Sequence, residues 1–342
     1  MIWVLALGLM LWLLGAVFGV PRRSRWIVLG GLYAVVVLAH LVLPAGSGIR
    51  LATGGSVGPW LILGGVGLAV WLYASWLGRL RAKAAPDQAP DPDRPFTDAE
   101  LKRYARHIIL REIGGPGQKR LKDAKVLVIG AGGLGSPALM YLAAAGVGTL
   151  GVIDDDVVEL SNLQRQIIHT PYNEGQPKVQ SAEERLSELN GFIQVKPYQR
   201  RLTEEIAEDL IAEYDLVLDG SDNFDTRYLV NRICARLGKP LIAAALTQWE
   251  GQISLYDPAR GTPCYECVFP ERPAPGLVPT CAEAGVLGPL PGVVGAMMAV
   301  EAVKAITGAG EGLGSRLMIY DALYGETRTM RLKRREGCPV CG

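Results

Sequence analysis

The chain has 342 residues, of which 49% are apolar, and its 35 Lys and Arg against 34 Asp and Glu leave a formal net charge of +1. It carries no acidic or basic tail, so nothing in its charge points to nucleic acid as a partner. The apolar residues concentrate in positions 1–83, which predicts an anchoring region followed by a soluble domain large enough for its own core.

Three apolar stretches, residues 1–20, 26–44 and 59–77, are each close to the roughly 20 residues that a membrane-spanning helix needs. None contains an acidic residue, Lys or Arg. The alternatives are a cleaved signal peptide and buried helices of a soluble protein, but a signal peptide would need a basic start and a small-residue cleavage site. We therefore predict three transmembrane helices.

The loop charges predict the orientation of these helices. The basic residues are Arg22, Arg23 and Arg25 before the second stretch, Arg50 before the third, and Arg79, Arg81 and Lys83 after it. Positive residues are enriched on the cytoplasmic side, so we expect a multi-pass inner-membrane protein with its soluble domain in the cytoplasm. Because the spans contain no charged residue and His40 lies near a helix end, we interpret the region as an anchor rather than a transporter.

Residues 84–95 contain four prolines and predict an extended spacer before a domain at 96–342. Thr97 and Glu100 form a capping-box pattern, which predicts a helix that begins there and ends at Gly114-Gly115.

The remainder alternates between short apolar strands and helices, which is typical of an α/β fold of Rossmann type with a parallel sheet. We predict strands at 126–129, 150–153 and 216–218, helices at 137–145 and 182–189, and later strands of a mixed sheet at 252–256, 317–320 and 327–332. The apolar stretch 293–306 carries Glu301 and Lys304 and is predicted to be a core helix, not a fourth span.

A glycine-rich turn joins the first strand to the next helix. Gly130, Gly132 and Gly135 have GxGxxG spacing, with Gly133 between them, and Asp154 follows the second strand about 20 residues on. Glycines let backbone amides approach a phosphate, and the carboxylate suits ribose hydroxyls. Alone, this pattern predicts a nucleotide site, with NAD as the first guess.

Polar runs after the strands argue against NAD. Residues 161–166, 175–178 and 220–223 place Asn, Arg, Lys and Asp at the carboxyl ends of strands, where open sheets bind ligands. Cationic side chains beside a carboxylate suit the binding of a triphosphate together with its magnesium ion.

These motifs are similar, in the same order, to those of the MoeB/ThiF/HesA family, bacterial relatives of ubiquitin-activating enzymes. The motifs are Arg103–Arg106, Gly130–Gly135, Ser161–Gln166, Pro177-Lys178 and Ser221–Asn223, and the resemblance covers essentially all of residues 97–342.

The resemblance implies a role for each matching residue. Asp154 would bind ribose, Asn162, Arg165 and Lys178 the phosphates of ATP, and Asp222 Mg²⁺, while Arg106 would reach into the ATP site of the other subunit of a homodimer. His107 stands where this family is expected to have Gln, which puts the local hydrogen bonding in doubt. A carboxylate nucleophile is ionised at neutral pH, with a reference pKa of about 3.5, so adenylation needs cations and amides rather than a side-chain base.

Two CxxC pairs, Cys264 with Cys267 and Cys338 with Cys341, supply four thiolates, enough to close a tetrahedral zinc shell. Two disulfides or a redox pair are the alternatives, and both are disfavoured in a reducing cytoplasm. Cys281 lies in a Pro- and Gly-rich loop at the position where some family members place a cysteine that links covalently to the carrier protein. A catalytic role and a plain surface thiol both stay open for it.

The resemblance implies ATP-dependent adenylation of the C-terminal Gly-Gly carboxylate of a small ubiquitin-like sulfur-carrier protein. We favour the small subunit of molybdopterin synthase, in molybdenum-cofactor biosynthesis, over the carrier of thiamine biosynthesis. Because no segment after Gly342 is available for a fused sulfurtransferase, we expect a separate sulfur donor, such as a cysteine desulfurase or sulfurtransferase.

Three other functions remain as alternatives: a Rossmann oxidoreductase, a membrane-tethered module that binds a carrier without activating it, and an adenylating enzyme of tRNA modification. The joint presence of Arg165, Lys178 and Asp222 argues against the first two, and the four cysteines with the Arg103–Arg106 motif argue against the third.

Overall fold

The computed structural model describes residues 2–18, 22–44, 46–84, 95–273 and 284–342. The chain divides into two compact units, Met1–Ala85 and Pro86–Gly342. The predicted spacer at 84–95 lies outside the described residues except for its two ends, of which Ala84 closes a helix of the first unit.

The N-terminal unit is helical. Its helices are α1 (Ile2–Val17), α2 (Arg22–Val42), α3 (Gly48–Thr53) and α4 (Gly58–Ala84). Windows of 19 and 20 residues in α2 and α4, Ser24–Val42 and Gly58–Leu77, are apolar and long enough to cross a membrane. Helix α1 is apolar but has 16 residues, fewer than the roughly 17–25 of a full span, so the predicted stretch 1–20 is longer than the helix it contains.

His40 has polar partners that the sequence did not reveal. Its side chain is buried, with Nδ1 3.0 Å from the Val36 carbonyl oxygen and Nε2 3.4 Å from Thr53 Oγ1 on α3. The indole of Trp60 donates to the Thr53 carbonyl at 3.0 Å, and the Tyr33 hydroxyl donates to the Trp60 carbonyl at 2.8 Å. Helix α3 thus links α2 to α4 through hydrogen bonds, which gives His40 a structural role.

Over the residues that the structure describes, the C-terminal unit is an α/β domain with one sheet of eight strands. The strands are β1 (Lys125–Ile129), β2 (Thr149–Ile153), β3 (Gln194–Tyr198), β4 (Leu216–Asp219), β5 (Leu241–Leu246), β6 (Glu250–Tyr256), β7 (Arg316–Asp321) and β8 (Glu326–Arg331). The helices are α5 (Asp98–Ile108), α6 (Gly114–Asp123), α7 (Gly135–Ala145), α8 (Lys178–Leu189), α9 (Glu204–Ala212), α10 (Phe224–Leu237), α11 (Tyr265–Val268) and α12 (Pro289–Thr307).

The strand order is β3-β2-β1-β4-β5-β6-β7-β8, with β1 to β5 parallel and β6 to β8 antiparallel. The aliphatic runs of β1, β2 and β4 are buried because helices cover both faces of the parallel part. The predicted mixed α/β sheet is confirmed, and each predicted strand lies within two residues of an observed one.

Helix α12 packs against the start of α7. A Cβ on Gly295 would lie 2.4 Å from both the Leu134 carbonyl oxygen and Pro137, so the two helices touch at this glycine. Although α12 is long and apolar enough to cross a membrane, half of its residues are buried inside the protein. This packing supports the predicted core helix.

Helix α5 begins at the predicted capping box. The Thr97 side chain accepts from the Glu100 amide, and the Glu100 carboxylate accepts from the Thr97 amide at 2.8 Å. Its predicted end at Gly114-Gly115 is wrong, because α5 ends at Ile108 and Gly114, with φ of 61°, turns the chain into α6.

Candidate active site

The candidate site lies where the connections leaving β1 and β4 diverge, which is where open α/β sheets bind ligands. Gly130 follows β1 and Gly220 follows β4. The Gly220 amide donates to the Ile129 carbonyl at 3.0 Å, and a Cβ on Gly130 would lie 3.4 Å from the Gly220 oxygen. Gly130 also has φ of 91°, a backbone conformation that favours glycine.

The glycine loop is built for close approach of its backbone. A Cβ on Gly135 would lie 1.9 Å from the Gly130 carbonyl oxygen. Helix α7 can therefore begin directly over the end of β1 only because residue 135 has no side chain. Among the described residues, the amides of Gly132 and Gly133 donate to no acceptor. Free amides at the N-terminus of α7 can bind an anion.

Asp154 joins the glycine loop to the end of β2. Its Oδ2 accepts from the Ala131 amide at 2.7 Å, and its Oδ1 accepts from the Asp156 amide at 2.9 Å. Burial raises the pKa of Asp154, while the Lys178 charge and both backbone donors act against the rise. An ionised carboxylate accepts about four hydrogen bonds, so positions remain for ligand hydroxyls.

Lys178 is a buried cation at the first residue of α8. Only 4% of the residue is exposed, and its Nζ lies 2.7 Å from Asp156 Oδ2. The Lys178 amide donates to the Asp156 carbonyl at 3.0 Å, which fixes the two residues together. The sequence motif therefore places an ammonium group beside the carboxylates that follow β2.

Asn162 and Arg165 contact each other next to the glycine loop. Arg165 Nη2 donates to Asn162 Oδ1 at 2.7 Å, and Asn162 Nδ2 donates to Glu159 Oε2 at 3.3 Å. A Cβ on Gly133 would lie 3.7 Å from Arg165 Cδ. The arginine thus lies within reach of a ligand on the loop.

Asp222 is exposed on the loop after β4, and a network beneath it fixes this loop. The Ser221 carbonyl accepts from Arg227 Nη2 at 2.5 Å, and the same nitrogen donates to the Ala244 carbonyl at 2.7 Å. Buried Asp219 accepts from the Ser221 amide at 2.9 Å and from its hydroxyl at 2.6 Å. The carboxylate of Asp222 is left at the surface, where a cation can reach it.

Two predicted residues are not joined to this cluster. Arg106 is exposed on α5 and makes no hydrogen bond or ion pair with any residue the structure describes. Cys281 lies outside the described residues, so the two readings of its role stay open.

At His107, Nδ1 lies 3.2 Å from Gln118 Oε1, and Gln118 donates to the Ala145 carbonyl at 2.8 Å, so the unusual histidine is hydrogen-bonded.

The four CxxC cysteines converge. Cys264 Sγ lies 3.8 Å from Cys267 Sγ and 3.6 Å from Cys338 Sγ, and Cys267 Sγ lies 3.4 Å from Cys341 Sγ. All four sulfurs lie within 4.8 Å of one another. A tetrahedron with Zn–S bonds of about 2.3 Å has edges of about 3.8 Å, so this cluster has the geometry of a closed metal site.

Sequence reasoning missed three residues that support the site: Asp156, His169 and Arg227. Asp156 pairs with Lys178, Arg227 holds the loop that carries Asp222, and His169 contacts the Ala131 carbonyl at 2.9 Å. The spacing of Asp154 and Asp156 was a usable signal. The other two meet partners through the fold alone, and the sequence gives no pattern for them.

The comparisons with known proteins agree with this geometry. The profile of the ThiF family matches residues 104–340. The chain is 50% identical to the sulfur carrier protein adenylyltransferase of Thermus thermophilus, over 72% of this chain and 93% of that protein. It is 49% identical to the SAMP-activating enzyme E1 of Haloferax volcanii, over 71% and 89%, and 48% identical to the probable adenylyltransferase/sulfurtransferase MoeZ of Mycobacterium tuberculosis, over 73% and 64%.

Among solved structures, the domain resembles Escherichia coli MccB with ATP. The TM-score is 0.62 at 26% identity, over 73% of this chain and 77% of that one.

Proposed function

Because the chain belongs to the ThiF family and is an adenylyltransferase, we propose that it uses ATP to adenylate the C-terminal Gly-Gly carboxylate of a small ubiquitin-like sulfur-carrier protein. The observation that carries this proposal is the set of free amides at Gly132 and Gly133, with Arg165 close to Gly133 and with Asp154, which lies near Lys178, bonded to the Ala131 amide. That arrangement suits a nucleoside triphosphate rather than a nicotinamide cofactor.

The site residues position two anionic groups, the carrier carboxylate and the phosphates of ATP, and they stabilise the negative charge that develops during the reaction. Asp154 accepts from the ribose hydroxyls, while the loop amides, Arg165 and Lys178 bind the phosphates. The carrier carboxylate attacks the α-phosphorus and pyrophosphate leaves, so negative charge grows on oxygens that these donors face. Asp222 would hold Mg²⁺, which neutralises phosphate charge, and its exposed carboxylate on a fixed loop is the hard oxygen ligand that this ion prefers.

The identity of the carrier protein is the first part of the proposal to test. We favour the carrier of molybdopterin synthesis over that of thiamine synthesis, with sulfur supplied afterwards by a cysteine desulfurase or sulfurtransferase. ATP–pyrophosphate exchange is expected with the molybdopterin carrier and is expected to vanish when its terminal Gly-Gly is deleted. Exchange only with the thiamine carrier would reassign the pathway, and exchange with neither would refute carrier adenylation.

We also propose a homodimer in which Arg106 completes the ATP site of the partner subunit. Its exposure on α5 without any partner among the described residues supports a role across an interface. For the cysteine cluster we propose a structural Zn²⁺, because four thiolates leave no position open for substrate.

The apolar helices are proposed to anchor the enzyme in the inner membrane with the α/β domain in the cytoplasm. The full chain is expected in the membrane fraction after alkaline carbonate washing. A chain that begins at Pro95 is expected to be soluble and to keep its exchange kcat/KM within about two-fold, because the C-terminal unit has its own cores. Recovery of the full chain in the soluble fraction would contradict the anchor, and loss of exchange by the shortened chain would show that the helices act in catalysis.

A further inference from the structure

His169 connects the glycine loop to helix α8 inside the protein. It is 5% exposed, with Nε2 2.9 Å from the Ala131 carbonyl oxygen and Nδ1 2.9 Å from Ser181 Oγ. A carbonyl oxygen only accepts, so Nε2 must carry the hydrogen. In the neutral ring, Nδ1 then accepts from the Ser181 hydroxyl, which lies one turn after Lys178 on α8.

The donors to the Ala131 carbonyl determine where a neighbouring amide points, and they are His169 Nε2 at 2.9 Å and the Ser136 hydroxyl at 3.3 Å. In a trans peptide, the C=O and the following N–H point in opposite directions. With the Ala131 carbonyl directed at His169, the Gly132 N–H is directed away from it. That amide meets no acceptor among the described residues, and it lies at the N-terminus of α7.

The surroundings keep His169 neutral at neutral pH. Burial lowers the pKa of His169, the hydrogen bond to Ala131 opposes this, and the nearby Lys178 charge lowers it further. The Asp154 carboxylate accepts from the Ala131 amide, and the Asp156 carboxylate pairs with the Lys178 ammonium group. The ring therefore acts as a fixed donor and acceptor.

We propose that His169 is a positioning residue for adenylation: through the Ala131 carbonyl it holds the Gly132 amide toward the phosphates of ATP. This inference rests on the proposed function. A hydrogen bond to a charged group contributes enough free energy that loss of the alignment is expected to weaken ATP binding about ten-fold or more.

Three variants of the full-length protein separate alignment from packing. His169→Ala removes the nearer of the two side-chain donors to the Ala131 carbonyl and leaves the longer bond from the Ser136 hydroxyl. His169→Gln keeps an amide N–H close to the place of Nε2. Ser181→Ala removes only the partner of Nδ1 and leaves Nε2–H bonded to Ala131, so it serves as the matched control for a lost buried hydrogen bond. The measurements are the Kd of ATP by calorimetry, the exchange rate with carrier, and the Tm.

We expect the Kd of ATP to rise about ten-fold in His169→Ala, and to stay within three-fold in His169→Gln and within two-fold in Ser181→Ala, although Tm falls in both alanine variants. A wild-type Kd in His169→Ala, or equal weakening in all three variants, would overturn the inference. If the unaltered protein binds ATP but exchanges no pyrophosphate with any carrier, the proposed function fails, while the three Kd values still decide the role of His169.

Discussion

Replacement of Lys178 by alanine is expected to lower kcat/KM for ATP in carrier adenylation by about 10²–10³-fold, which is the effect of removing one preorganised donor from a developing oxyanion. The ammonium group is buried at the start of α8, where both its charge and the helix N-terminus favour phosphate oxygens. Pyrophosphate exchange over a range of ATP concentrations measures the loss.

Stability is not expected to explain this loss. The partner carboxylate, Asp156, is 66% exposed and becomes solvated when the ammonium group is removed. Lys119→Ala is a suitable control, because Lys119 pairs with Asp123 at 2.7 Å but both side chains are more than half exposed on α6. Exchange by Lys178→Ala at the rate of the control would show that the phosphate site is wrongly assigned.

The same variant tests the proposed dimer. Lys178→Ala and Arg106→Ala chains are each expected to be inactive, but mixed dimers would contain one site with both native residues. Co-expression of the two variants is therefore expected to restore up to about half of the activity in the mixed dimers. If each variant is inactive and the mixture stays so, Arg106 acts within its own subunit.

The second large effect is expected at the cysteine cluster. Cys341→Ser is expected to lose bound Zn²⁺ and to lower Tm by about 10 °C. Zinc supplies about 10–16 kcal/mol to the folding of zinc-finger peptides, and a third of that gives a shift of this size in a domain of this length. Zinc content by elemental analysis and thermal unfolding with and without chelator measure the two quantities.

Cys281→Ser is the control for the cluster, because its thiol stands apart from the two CxxC pairs in the sequence. It is expected to keep one zinc per chain and an unchanged Tm, and its exchange rate decides whether that cysteine takes part in adenylation. A full complement of zinc in Cys341→Ser would contradict the structural role. So would an unaltered protein whose Tm stays the same after its zinc has been removed.

The strands that the sequence predicts best are the ones whose burial is visible locally. Strands β1, β2 and β4 are aliphatic on both faces because helices cover both sides. Strand β3 is half-buried at the sheet edge and contains Pro197 and Lys196, so its composition does not indicate a strand. In β5, three consecutive alanines favour a helix, and only pairing with β4 and β6 makes this segment extended.

The site residues also divide into those that the sequence predicts and those that it does not. Gly130 and Asp154 directly follow β1 and β2, where open sheets bind ligands, and the family resemblance adds Arg165 and Lys178 to the same predicted site. His169 meets Ala131 across 38 residues, and no local sequence pattern indicates that contact.

The peptide groups on both sides of Ala131 are fixed before any nucleotide arrives, one by Asp154 and the other by His169 together with Ser136. A loop ordered in advance loses little conformational entropy on binding, so the entropic cost of complex formation falls mainly on the ligand, which loses translational, rotational and torsional freedom. For the same reason we expect the loop to keep its shape, so that rigidity contributes to the selectivity proposed for a polyphosphate chain.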